Sequence, residues 1–91
     1  MRMTRIVIDV RTPSEYAQRH LDGALNYDIR GTSFGPMLDE LPKDAEYVVY
    51  CAAGHRAGQA RKRMEAAGFT NVTSYGILGA AAVTGLPMVN A

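Results

Sequence analysis

Cys51 is the only cysteine in the chain, and four residues, Ala52, Ala53, Gly54 and His55, separate it from Arg56. A thiol and a guanidinium at that spacing suit attack by a thiolate on an electrophilic atom carried by an anion. The flanks say how the pair is held. Tyr47-Val48-Val49-Tyr50 is an apolar, β-prone run of the kind that fills a buried strand. Ala57 to Ala67 is rich in Ala, Arg, Lys, Gln, Met and Glu, which are good helix formers. The cysteine therefore ends a strand, and the chain turns through Arg56 into a helix. Backbone N–H groups of such a turn and of the first helical turn lack intrahelical partners and converge on the loop centre. The helix dipole adds partial positive charge there and Arg56 a full one. All three favour the thiolate, the reactive form. A cysteine that merely filled a strand end would pack as a small hydrophobe. A plain strand-to-helix connection would require neither Gly54, which permits positive φ or close backbone approach, nor Arg56.

The elements around this loop alternate between strand and helix. Ile6 to Val10 is a short apolar strand. Thr12 then offers an N-cap, Pro13 suits the first helical position, and Glu15 completes a Thr-x-x-Glu capping box for a helix running to about His20. Gly23 to Tyr27 suits a second strand, Ser33 to Leu41 a weaker helix with Gly35-Pro36 inside it, and Pro42-Lys43-Asp44 a loop. Tyr47 to Tyr50 is the central strand. In the helix after the cysteine, Ala57, Ala60, Met64 and Ala67 fall at helical spacing, with Arg61, Lys62, Arg63 and Glu65 largely off that stripe and Gly68 at the C′ position. Val72 to Tyr75 reads as a buried last strand and Leu78 to Thr84 as a short packed helix. Alternating units of this kind imply an α/β fold with a mostly parallel central sheet and helices on both faces. Ligands of such sheets sit beyond the carboxyl ends of the strands, where Cys51 falls.

Composition sets the outer limits. Ninety-one residues suit a single domain over 1–91, and 47% hydrophobic with 21% charged residues is a globular balance. A net charge of +1 gives no electrostatic case for nucleic acid or an anionic membrane. One cysteine allows neither a disulfide framework nor a paired redox motif. The start of the chain lacks a charged region followed by an apolar stretch, so no secretory signal and a cytoplasmic location are expected. From Ala66 to Ala91 no charge occurs, but polar residues and glycines interrupt every apolar run before it reaches the roughly 18 residues a membrane span needs.

The remaining charged residues have structural readings. Asp9 and Arg11 follow the first strand, and Arg11 is expected to reach Glu15 and brace the helix start. His20, at a helix end, favours a backbone hydrogen bond or the helix dipole. His55 lies inside the loop, with its side chain expected to point outward because backbone amides claim the centre. Arg61-Lys62-Arg63 reads as a solvated helix face, and the scattered methionines as packing.

Four segments together resemble the rhodanese-like sulfurtransferase family. Cys51, Gly54 and Arg56 match its Cys-x-x-Gly-x-Arg active loop. Asp9-Val10-Arg11-Thr12-Pro13-Ser14-Glu15-Tyr16 is similar to its Asp-Val-Arg-x-Pro-x-Glu-Tyr opening. His20-Leu21-Asp22-Gly23-Ala24-Leu25-Asn26 resembles its His-Ile-x-Gly-Ala-x-Asn segment, and Gly85-Leu86-Pro87-Met88-Val89 its closing Gly-x-Pro-Val. The resemblance implies a rhodanese-like fold and a sulfurtransferase that moves a sulfane sulfur, from a donor such as thiosulfate, through a persulfide on Cys51 to cyanide or a thiol. Cys51 would be catalytic. Arg56, with Ala52, Ala53, Gly54, His55 and Ala57, would bind the substrate, and Asp9 and Arg11 would lie near the site. Neither cofactor nor metal is implied. The expected partners are a small-molecule sulfur donor, a thiol or cyanide acceptor, and a protein of a sulfur relay.

The sequence departs from that pattern in three places. Ala52 and Ala53 stand where many members carry basic or polar residues that help hold an anionic donor, so weak thiosulfate binding is expected. Arg19 replaces a common Gly, and the chain has Gly76-Ile77-Leu78-Gly79 and no Trp ahead of its closing segment. Two other readings belong to the same fold. One is a regulatory, non-catalytic module that binds a partner, whose members usually lack the cysteine. The other is a phosphatase or arsenate reductase, whose loop is one residue longer.

Overall fold

The apolar run ahead of the cysteine lies in the middle of a four-stranded parallel sheet. The computed structural model describes residues 5–90; the ends of the expected 1–91 domain, residues 1–4 and 91, lie outside the described residues. In chain order the elements are β1 (Arg5–Asp9), α1 (Pro13–Gln18), β2 (His20–Leu21), β3 (Leu25–Asn26), α2 (Phe34–Glu40), β4 (Glu46–Cys51), α3 (His55–Ala66), β5 (Val72–Gly76), α4 (Ile77–Thr84) and β6 (Met88–Val89). The sheet order is β3-β1-β4-β5. β4 pairs Val49 with Ile8 of β1, and Tyr50 with Tyr75 and Cys51 with Gly76 of β5.

Both faces are covered, and the pleat decides what goes where. Alternate residues of β4 point to opposite faces. Tyr47, Val49 and Cys51 pack with Phe34 and Met37 of α2 and with Ala57, Ala60 and Met64 of α3. Val48 and Tyr50 pack with Val7, Leu21, Tyr16 of α1, and Ile77 and Ala80 of α4. The predicted stripe of α3 is thus the buried one, although Ala67 falls at its C-cap rather than within it. Gly68 follows at φ +103, the left-handed conformation a C′ residue requires.

α1 starts as its sequence dictates. The Thr12 hydroxyl accepts the Glu15 N–H at 3.2 Å, the Glu15 carboxylate accepts the Thr12 N–H at 3.1 Å, and Pro13 opens the helix. It ends sooner than expected. Arg19 is extended, and His20 and Leu21 form β2, an antiparallel pair with β6 that local propensity does not announce in two-residue strands. His20 is buried there, its ring stacked on Tyr16 and its Nδ1 2.8 Å from the Tyr16 carbonyl oxygen.

Other expectations shift as well. The strand expected over Gly23–Tyr27 shrinks to Leu25–Asn26, with Gly23 in a turn at φ +84. α2 runs through Gly35-Pro36 without interruption, because a proline in the first turn has no intrahelical N–H bond to lose. β5 is neither last nor fully buried: it is a sheet edge with only Val72 enclosed, and β6 follows it. α4 buries only Ile77 and Ala80. No described helix is long and apolar enough to cross a membrane.

Candidate active site

β4 carries Cys51 to the carboxyl end of the central strand, and Ala52 to Gly54 turn the chain into α3. Gly54 is the N-cap of that helix at φ +100, a conformation that L side chains rarely adopt. Glycine has no side chain to cap with. The sulfur does the capping: Sγ of Cys51 accepts the Gly54 N–H at 3.0 Å and the Ala57 N–H at 3.3 Å. Ala57 is the third helical residue, whose N–H an N-cap oxygen usually takes. The N–H groups of His55 and Arg56 also have no carbonyl within α3 to donate to. Cys51 is only 1% exposed, so its sulfur sits in a cradle of backbone amides. Such a cradle stabilises negative charge on sulfur at little reorganisation cost.

The loop is seated on a second glycine. A Cβ at Gly76 would lie 3.0 Å from the Ala52 carbonyl oxygen and 3.2 Å from the Ala53 carbonyl carbon. The next residue, Ile77, donates its N–H to that same Ala52 oxygen at 3.3 Å. The amino ends of α3 and α4 therefore hold the loop from two sides. Nothing local marks Gly76 for this role, because the contact exists only once β4 and β5 are paired.

Arg56 does not extend a free fork over the loop. Its Nη1 and Nη2 donate to Oε1 and Oε2 of Glu15 at 2.8 and 3.0 Å. The Arg56 guanidinium holds the Glu15 carboxyl well below its ordinary value, at about 2, and Glu15 in turn raises the Arg56 pKa. The sequence marks Glu15 as a capping residue; its second partner, 41 positions away, has no local signal.

Arg11 does not reach Glu15 as expected; Asp9 takes its fork. The fully buried Asp9 carboxylate accepts Arg11 Nη2 at 2.7 Å, Nε at 3.0 Å and the Arg11 backbone N–H at 2.9 Å. Arg11 also donates to the Arg19 carbonyl at 2.6 Å, and Asn26 donates to the carbonyls of both Asp9 and Arg11. Asp9 raises the Arg11 pKa, and burial raises that of neighbouring Tyr50. These groups form a brace across the ends of β1 and β3, with every buried polar side-chain atom partnered among the described residues.

The other candidates differ in exposure. His55, Ala52 and Ala53 are exposed, so the crown of the loop carries two methyl groups and an imidazole. Arg61 pairs with Glu65 at 3.2 Å and Arg63 lies over the Phe34 ring, which leaves Lys62 as the plain solvated member of that run. Among the described residues, no group of His, Cys, Asp and Glu is arranged to hold a metal ion.

The pattern of the rhodanese-like domain family matches residues 2–77. Thiosulfate sulfurtransferase PspE of Escherichia coli K12 is 35% identical over 69 residues, 76% of this chain and 66% of that protein. The thiosulfate:glutathione sulfurtransferase of Saccharomyces cerevisiae is 33% identical over 81 residues, 77% of this chain and 58% of that protein. The chain thus spans 66% and 58% of the lengths of these two relatives, less than two thirds of each. Among solved structures, a rhodanese with anions from E. coli superposes with a TM-score of 0.81 at 30% identity, covering 97% of this chain and 100% of that one.

Proposed function

The chain belongs to the rhodanese-like domain family, and on that premise we propose that it is a sulfurtransferase working through a persulfide on Cys51. One observation carries the reading: Sγ of Cys51 accepts two backbone N–H bonds from its own loop, at 3.0 and 3.3 Å. That cradle suits a sulfur anion before and after it gains a second sulfur. With thiosulfate as donor, the Cys51 thiolate attacks the sulfane sulfur, a new S–S bond forms on Sγ, and sulfite leaves with the electron pair of the broken bond. The terminal sulfur carries the negative charge, and the amides of Gly54, His55, Arg56 and Ala57 lie around the loop to meet it. Cyanide or a thiol then removes that sulfur and the pair returns to Cys51. A single cysteine suffices for this cycle. The names of the two relatives, one a thiosulfate sulfurtransferase and the other passing sulfur to glutathione, support this donor and acceptor class.

The test is intact mass. Thiosulfate adds one sulfur, about 32 Da, and cyanide removes it with formation of thiocyanate. Cys51→Ser retains the fold and loses turnover. Appreciable thiocyanate from that variant overturns the assignment.

A further inference from the structure

Arg56 meets more negative charge than Glu15 alone supplies. Asp28 follows β3 at the carboxyl edge of the sheet, where the Tyr27 N–H donates to the Asp9 carbonyl at 3.0 Å and the Ile29 N–H to the Val10 carbonyl at 3.2 Å. These bonds carry the β1–β3 pairing past Asn26. Ile29 packs into the same core as Cys51, Ala57 and Ala60, and its carbonyl accepts Arg63 Nη1 at 3.4 Å. Arg56 and Arg63 are two helical turns apart on α3 and share one face. Asp28 therefore stands beside the face of α3 from which Arg56 reaches Glu15. Its field acts there: the Arg56 pKa is raised first by Glu15, and also by the charges of Cys51 and Asp28.

The charges at this mouth do not cancel. Arg56 is committed to Glu15. The partly buried Asp28 carboxylate accepts the Arg30 backbone N–H at 2.9 Å, a partner that brings no charge. Among the described residues the ion pairs are Asp9 with Arg11, Glu15 with Arg56 and Arg61 with Glu65, so Asp28 has no counter-ion in contact. The exposed crown of Ala52 and Ala53 adds no cation, which leaves His55 as its one ionisable side chain. The loop amides serve the reacting sulfur. The group that a substrate carries beyond that sulfur meets the field of Asp28 instead.

We propose that Asp28 is a specificity-determining residue for sulfur transfer and selects an acceptor thiol that carries positive charge near its sulfur, a small aminothiol. This rests on the sulfurtransferase reading above. The acceptor thiol loses its proton to solvent, and its thiolate attacks the terminal sulfur of the protonated Cys51 persulfide. An S–S bond forms on the acceptor, the bond to Sγ breaks, and its electron pair stays on Cys51 as thiolate. A persulfide and a thiol exchange places with no net oxidation. Asp28 takes no part in these bonds; its charge favours the approach of an ammonium and opposes that of a carboxylate.

The experiment loads the protein with one sulfur and measures second-order rate constants for transfer to cysteamine, mercaptoethanol and mercaptopropionate, which are cationic, neutral and anionic, at one pH and low salt. The intrinsic reactivities of the thiols cancel when the native protein is compared with Asp28→Asn, and asparagine keeps the oxygen that accepts the Arg30 N–H. The expected result is a cysteamine-to-mercaptopropionate ratio roughly fivefold lower in Asp28→Asn and lower again in Asp28→Lys. The native ratio should also fall as salt rises from about 0.01 M to about 1 M. A purely structural role would move all three thiols together and leave the ratio unchanged. An unchanged ratio in both variants, or a native ratio indifferent to salt, overturns selection by Asp28 while thiocyanate formation from cyanide upholds the sulfurtransferase. A native protein that neither gains sulfur from thiosulfate nor yields thiocyanate overturns the sulfurtransferase and the selection with it.

Discussion

Glu15 and Arg56 lie 41 positions apart and meet through two parallel N–H···O bonds of 2.8 and 3.0 Å. The same Glu15 carboxylate caps α1 by accepting the Thr12 N–H. One side chain thus ties the start of the first helix to the start of the helix behind the cysteine. A two-bond fork fixes the plane of the guanidinium, which a single contact to lysine would not do. It also balances the only full positive charge in the loop, so attraction of an anionic donor falls mainly to backbone amides.

The ion pair makes stability depend on acid. Glu15 is depressed to about 2 in the folded protein from an ordinary value of 4.5. A depressed carboxyl contributes fully above its unfolded value, and the contribution fades as pH falls from about 4.5 to about 2. Glu15→Gln keeps the helix cap and removes the charge. The native protein should melt higher than this variant at pH 7, and the two midpoints should converge as pH falls through that window. The side chains are 16% and 32% exposed, so the difference should be modest, about 1 kcal/mol or less. Thermal unfolding from pH 7 to pH 2.5 decides it; parallel curves across that range contradict the pairing.

Arg56 and Glu15 should be coupled in kinetics as well. Arg56→Ala leaves the Glu15 carboxylate beside the loop without its counter-charge, and thiosulfate is a dianion. The Michaelis constant, expected near the typical upper end of about 1 mM, should rise roughly tenfold. Adding Glu15→Gln should recover part of that loss, because the uncompensated charge is gone. Initial rates of thiocyanate formation across thiosulfate concentration measure both. A double variant no better than Arg56→Ala excludes charge repulsion as the cause.

Two glycines near the loop should respond in opposite directions to alanine. At Gly76 the new Cβ meets the Ala52 carbonyl oxygen at 3.0 Å and the Ala53 carbonyl carbon at 3.2 Å, both backbone atoms that cannot swing aside. The loop must move, at about 1–3 kcal/mol of stability, and sulfur transfer should fall by an order of magnitude or more. At Gly58, inside α3, a Cβ meets nothing within 4 Å. Alanine there should stabilise by about 0.5–1 kcal/mol through helix propensity and leave transfer unchanged. Chemical denaturation and thiocyanate assays on both variants test the contrast; a silent Gly76→Ala denies the seating of the loop.

What could be read in advance follows from range. The α1 capping box, the Cys51–Arg56 loop and the stripe of Ala57, Ala60 and Met64 are patterns within a few residues, and each has its counterpart in the fold. β2 and β6 are two residues each and exist only because Leu21 and Met88 are brought together from 67 positions apart. Arg11 was expected on Glu15 because both are near in sequence. Asp9, a fully buried carboxylate needing a fork, takes Arg11, and Glu15 is left for Arg56. The function of Gly76 is of the same kind, set by a strand pairing and invisible to spacing.

Loop size should decide between sulfur and phosphorus chemistry. Between Cys51 and Arg56 the chain closes around one sulfur atom, whose two amide contacts are 3.0 and 3.3 Å. A phosphoryl group would require three equatorial oxygens to meet loop amides while the thiolate stands in line with the leaving oxygen. The small ring leaves too little room, so the native protein should not hydrolyse an aryl phosphate. Inserting one glycine between Ala53 and Gly54 lengthens the ring where it lies against Gly76, which Ala52, Ala53 and Gly54 all approach. That insertion should weaken sulfur transfer, because the Gly54 and Ala57 amides no longer close on Sγ, and should let vanadate bind as an inhibitor. Aryl phosphate turnover by the native protein comparable with its sulfur transfer would refute the match of ring to sulfur and move the chain to the phosphatase branch of the fold.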